Sequence, residues 1–83
     1  MIFDDNFTLK EFAILLIKNL EDKEEYVLKE ELIGWLNCSY TSSSEFLGEL
    51  NLILKKVKNF AALDQKTRNN VIDCIAAIDE VFK

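Results

Sequence analysis

Catalysis needs groups that pass protons, hold ions or attack carbon, and this chain offers few kinds: 15 carboxylates, 2 cysteines and no histidine in 83 residues. Without an imidazole there is no ordinary general base near neutral pH, no Ser–His or Cys–His pair, and no nitrogen ligand for a transition metal. Phosphate loops of the G-x-x-x-x-G-K-S/T or G-x-G-x-x-G type and the D-x-D-x-D-G calcium loop are also missing. The densest carboxylate cluster, Glu21, Asp22, Glu24 and Glu25, has oxygens for a divalent cation. Acids at a helix start more commonly serve the helix dipole and solubility, and no further ligand converges on these four. No catalytic residue, metal ligand or cofactor is assigned, and the expected mode of action is binding.

Cys38 and Cys74 fit no zinc pattern, and both read as small apolar packing side chains. The N-terminus lacks the basic segment, long apolar run and small-residue cleavage site of a signal peptide, and the FAILLI run at residues 12–17 is too short to span a bilayer. A reduced, cytoplasmic protein without membrane contact is expected.

Charge narrows the choice of partner. The net charge is −5, and residues 1–41 hold nine acids and four bases while residues 42–83 hold six of each. An acidic half is unsuited to phosphate backbones, and the only basic candidates, Lys55, Lys56, Lys58, Lys66 and Arg68, are equally explained by a solvated helix end and loop. No nucleic acid is expected. A basic protein is the natural partner for such a surface.

The elements that would carry these residues are helices. There is no proline and there are two glycines, which leaves little turn chemistry for hairpins, while 49% apolar and 30% charged residues fit a folded globular chain. Apolar stripes at helical spacing predict an all-α fold, a compact antiparallel bundle of four helices near residues 9–20, 22–36, 44–60 and 65–82, in one domain. Residues 1–7 form a short acidic lead whose Ile2, Phe3 and Phe7 are expected to tuck against the bundle. Thr8 with Glu11, and Ser42 with Glu45, have capping-box spacing, and Asp22 and Asp64 are the expected caps of the second and fourth helices.

The first helix carries Leu9, Phe12, Ala13, Leu16, Ile17 and Leu20 on one stripe, with Ile14 and Leu15 projecting elsewhere. Apolar residues nearly all round suggest a central helix or one shared with another subunit. In the second, Leu28, Leu32, Trp35 and Leu36 face inward. Tyr26, Glu30, Ile33 and Asn37 make a mixed stripe that either widens the buried arc or supplies aromatic and aliphatic anchors within a polar rim. In the third, Phe46, Leu47, Leu50, Ile53, Leu54, Val57, Phe60 and Ala61 share an arc, with Asn51 outside it. In the fourth, Val71, Cys74, Ile75, Ile78, Val81 and Phe82 share a face.

The residues expected to meet a partner are therefore Glu21, Asp22, Glu24, Glu25, Glu30 and Glu31 as an electrostatic face, with Tyr26 and Ile33 as anchors. Tyr40, in the polar loop NCSYTSSS at residues 37–44, either anchors that loop on the core or is itself a contact residue. Gly48 and Leu52 project together from the polar side of the third helix. They are either an ordinary exposed leucine beside an incidental glycine, or a contact with residues 2–7 or with a second copy in a homodimer.

The acidity, the length, four helices, the stretch SSSEFLGEL at residues 42–50 and the amphipathic C-terminal helix together resemble small immunity proteins of bacterial polymorphic toxin systems, of the contact-dependent inhibition or Maf type. The resemblance implies a protein that neutralises a cognate toxin, commonly a nuclease, by covering its active site or an exosite. An acidic nucleic-acid-mimic inhibitor would use the same physics. A helical self-associating adaptor or regulatory assembly subunit is the alternative of a different class.

Overall fold

Stripes of apolar residues at helical spacing become four helices in the computed structural model, which describes residues 6–82. They are α1 (Asn6–Asp22), α2 (Tyr26–Asn37), α3 (Ser43–Lys58) and α4 (Gln65–Val81). No strand occurs among the described residues. The helices pack in chain order, α1 on α2, α2 on α3 and α3 on α4, within 32 × 23 × 18 Å. Adjacent helices run in opposite senses. Trp35 late in α2 meets Phe46 early in α3, and Glu31 meets Lys56 near the end of α3. Asn51 of α3 meets Asp79 late in α4, whereas Arg68 early in α4 reaches the end of α3. The fold is an all-α antiparallel bundle, the arrangement that short connections impose.

The core is where the stripes place it. Leu16 and Leu20, Leu32, Leu50, Leu54 and Val57, and Val71, Cys74 and Ile78 are fully buried, one set from each helix. Burial pushes the Cys74 thiol up to about 12, so it stays protonated while the unfolded thiol would begin to ionise near 9.0. Stability is thus unaffected by this group at neutral pH and falls as pH rises from that value towards 12.

Several expectations are corrected. α1 is not central, since α2 and α3 each pack between two helices while Ile14 and Leu15 of α1 remain exposed. Among the described residues it is already helical at Asn6, so Thr8 lies within the helix and cannot be its N-cap. Phe7 then falls in phase with Ile14, seven residues on, and is 70% exposed rather than tucked against the core. Ile2 and Phe3 lie outside the described residues. α3 ends at Lys58, which takes Ala61 out of helical register and leaves it exposed, with Phe60 half-buried. Val81 in the last turn of α4 and Phe82 at its C-cap are exposed rather than on the buried face. Cys38 is exposed at the C-cap of α2.

The ends of α3 and α4 show which local chemistry decides. Ser42 Oγ accepts from the Glu45 amide at 3.2 Å, but the Glu45 carboxylate takes the Thr41 hydroxyl at 3.2 Å instead of completing a reciprocal box. Asp64 caps α4, accepting from the Thr67 amide, and its hydrogen bonding to Thr67 holds its carboxyl below the usual value. Arg68 donates from Nε to the Lys58 carbonyl at 3.2 Å, an acceptor at the end of α3, and from Nη2 to the Phe60 carbonyl at 2.6 Å, which also accepts from the Leu63 amide. Arg68 is thus committed to the fold.

Asp22 is the last residue of α1 and does not cap α2. The chain reverses over residues 23–25 through a Schellman arrangement: the Glu25 amide donates to the Leu20 carbonyl at 2.8 Å and the Glu24 amide to the Glu21 carbonyl at 3.0 Å. This geometry needs a left-handed residue, and Glu24 supplies it with φ of 60° where glycine is usual. Glu25 then becomes the N-cap of α2, its carboxylate accepting from the Leu28 amide at 3.4 Å. A left-handed L-residue costs roughly 1–2 kcal/mol. Glu24→Gly is therefore expected to raise the unfolding free energy by about 1 kcal/mol in a urea titration; a loss of stability would contradict this account of the turn.

Candidate protein-binding surface

The Schellman turn decides what α1 and α2 present together. Glu21, Asp22 and Glu24 are exposed around it, Glu25 is half-buried in its capping role, and Tyr26, which opens α2, is 53% exposed. Four carboxylates and one phenol thus cluster at one end of the bundle, with Lys23 the one base in the turn.

Lys29 stitches the two helices. Its Nζ lies 3.7 Å from Glu21 Oε1 and 5.6 Å from the centre of the Tyr26 ring. Glu21 sits seven residues beyond Ile14 and four beyond Ile17 on α1, whereas Lys29 lies between Tyr26 and Ile33 on one face of α2. The bridge therefore brings the Ile14, Ile17 and Glu21 stripe beside the Tyr26, Lys29 and Ile33 stripe. Ile14 is 56% exposed, Ile17 and Ile33 are half-buried, and Glu30 stays in solvent at the edge. An apolar strip with an aromatic at one end and carboxylates around it has the composition of a protein-binding patch.

The other sequence-assigned residues lie elsewhere. Glu31, on the side of α2 that faces α3, holds Lys56 Nζ at 2.7 Å. Tyr40 is half-buried at the far end of α2, its ring edge-on to Phe46 at 5.8 Å, which fastens the α2–α3 loop to the core. Burial, and after it Cys38, raises the Tyr40 phenol above its ordinary value. Gly48 and Leu52 are on α3, Leu52 58% exposed and the space beside Gly48 open. From sequence Ile17 reads as part of the core stripe and Ile14 as a side chain projecting elsewhere, so neither is assigned to this surface. Only the short turn, which sets Tyr26 beside Glu21, could have signalled their company.

A polar cavity of about 480 Å³ opens between the start of α1 and the α2–α3 loop, lined by Asn6, Lys10, Cys38, residues 39–43 and Phe46. Its lining pairs a thiol with a lysine and hydroxyls but contains no carboxylate or imidazole to act as base. Among the described residues no three His, Cys, Asp or Glu side chains converge to hold a metal ion, and no described helix is long and apolar enough to cross a membrane. Comparison with models of protein families, with curated proteins and with solved structures yields no match.

Proposed function

We propose that this chain is a non-catalytic protein-binding module that works as an immunity protein, neutralising a toxin by laying the acidic α1–α2 turn and the adjoining Tyr26 and Ile33 against a basic surface. A toxin nuclease is the partner that fits, because an enzyme that holds nucleic acid presents positive charge where it does so. The observation that carries this reading is Glu24. The turn keeps a carboxylate at the one position where glycine would relieve backbone strain, and that carboxylate stands exposed beside Asp22 and Tyr26. Strain retained at a surface position is a pointer to binding rather than to folding.

Complementary charge speeds encounter, and desolvation of an aromatic anchor slows release. The acids would set the on-rate, and Tyr26 with the Ile14, Ile17 and Ile33 strip would set the lifetime. The proposal is tested by co-expressing the chain with the product of the adjacent open reading frame. A toxin domain there that co-purifies with this chain and loses activity at a one-to-one ratio supports it. A toxin that stays fully active with excess chain, or a neighbour that carries no toxin domain and does not bind, overturns it.

A further inference from the structure

α1 stands at one end of the packing order, and its solvent side gathers Phe7, Ile14 and Leu15, each more than half exposed. No other helix carries as many exposed large apolar side chains among the described residues. Apolar side chains collected on one exposed face mark a contact surface. Two charges lie among them. Glu11 and Lys18 are exposed, and neither makes an ion pair among the described residues.

Helical spacing sets these residues out in a self-complementary order. Seven residues at about 100° each return Lys18 to within about 20° of Glu11, so the two charges lie on one line along α1, roughly 10 Å apart along its axis. Ile14 projects about 50° to one side of that line and Leu15 about 50° to the other. Both fall midway between the charges.

A two-fold axis perpendicular to the plane of two α1 helices, level with the gap between Ile14 and Leu15, makes the helices antiparallel and keeps each flank on its own side. Position 11 of one copy then faces position 18 of the other. Glu11 meets Lys18 twice, Ile14 meets its counterpart on one flank and Leu15 its counterpart on the other, with Phe7 towards each end. A parallel pair in register would set Glu11 on Glu11 and Lys18 on Lys18. We propose that the chain forms an antiparallel two-fold homodimer through the outer face of α1, its register set by the Glu11–Lys18 pairs. One helix pair buries less than a standard interface, so a dissociation constant on the order of 100 µM is expected. The contact shares Ile14 with the surface proposed for a toxin but does not rest on that reading, and the chain alone tests it.

Sedimentation equilibrium from about 5 to about 500 µM reads the outcome. The wild-type chain is expected to pass from 9.6 kDa towards twice that mass. Leu15→Glu should weaken self-association at least about tenfold with helical content unchanged by circular dichroism. Glu11→Lys and Lys18→Glu should each weaken it as well, because each sets like charges together in its own dimer. An equimolar mixture of those two variants restores opposite charges at both pairs and should recover a mixed dimer. A wild-type monomer at every concentration overturns the proposal, as does a dimer indifferent to Leu15→Glu or a mixture no better associated than either variant alone. A melting temperature lowered by Leu15→Glu with monomer mass throughout overturns it too, since the face is then covered from within the same chain.

Discussion

Trp35→Ala is expected to lower the unfolding free energy by about 3–5 kcal/mol, which leaves little or no folded protein in a domain of this size. Trp35 is 2% exposed and its ring centre lies 4.7 Å from that of Phe46. Its Nε1 donates to the Phe46 carbonyl at 2.9 Å, so the indole both fills the α2–α3 contact and finds a buried acceptor for its own N–H in the first turns of α3. Alanine opens a cavity and removes that bond. Trp35→Phe separates the two contributions, keeping much of the volume and costing roughly 0.5–1.5 kcal/mol for the lost hydrogen bond. Urea titration followed by far-UV circular dichroism measures both, and an unchanged midpoint for Trp35→Ala would mean that the α2–α3 packing is wrong.

The second large effect belongs to binding. Tyr26→Ala should weaken the complex with the proposed toxin partner by about 10- to 100-fold, chiefly through faster dissociation, while leaving the melting temperature nearly unchanged. The ring is half in solvent, so the fold loses little beyond the contact with Lys29. Glu31→Ala provides the contrast. It breaks the pair with Lys56 on the α3 side, a partly exposed contact, and should leave binding within about twofold of wild type. Surface plasmon resonance on the two variants distinguishes an anchor from a bystander, and equal dissociation rates for both would remove Tyr26 from the surface.

How far the chain can be read without its structure depends on whether the deciding interactions are local. The core stripes, the Ser42 and Asp64 caps and the burial of Trp35 follow from periodicity and from partners within one helical turn. Asp22 was misassigned as a cap because the alternative, a Schellman turn, needs a left-handed residue and Glu24 carries no outward sign of being one. The Asn51–Asp79 bond joins residues 28 apart, and Arg68 closes α3 from ten residues away at Lys58; in a single sequence each reads as an ordinary polar surface residue. The acidic stretch was visible as composition, but its division was not. Glu31 turned out to be paired and Glu25 to be a cap, because which way each side chain points depends on where α2 begins.

That division determines the variant that probes the central claim. Reversing Asp22, Glu24 and Glu30 to lysine changes three exposed acids and spares Glu21, which pairs with Lys29, and Glu25, whose carboxylate holds the start of α2. The measurement is the association rate constant with the proposed toxin partner, taken by stopped flow across a series of salt concentrations for the wild type and the triple variant. The reversal is expected to slow association about 10- to 100-fold at low salt, with the two rates converging as salt screens the field and dissociation changing far less. Equal association rates at low salt would contradict the account, because a partner indifferent to six units of charge at the α1–α2 end is not recognising that surface.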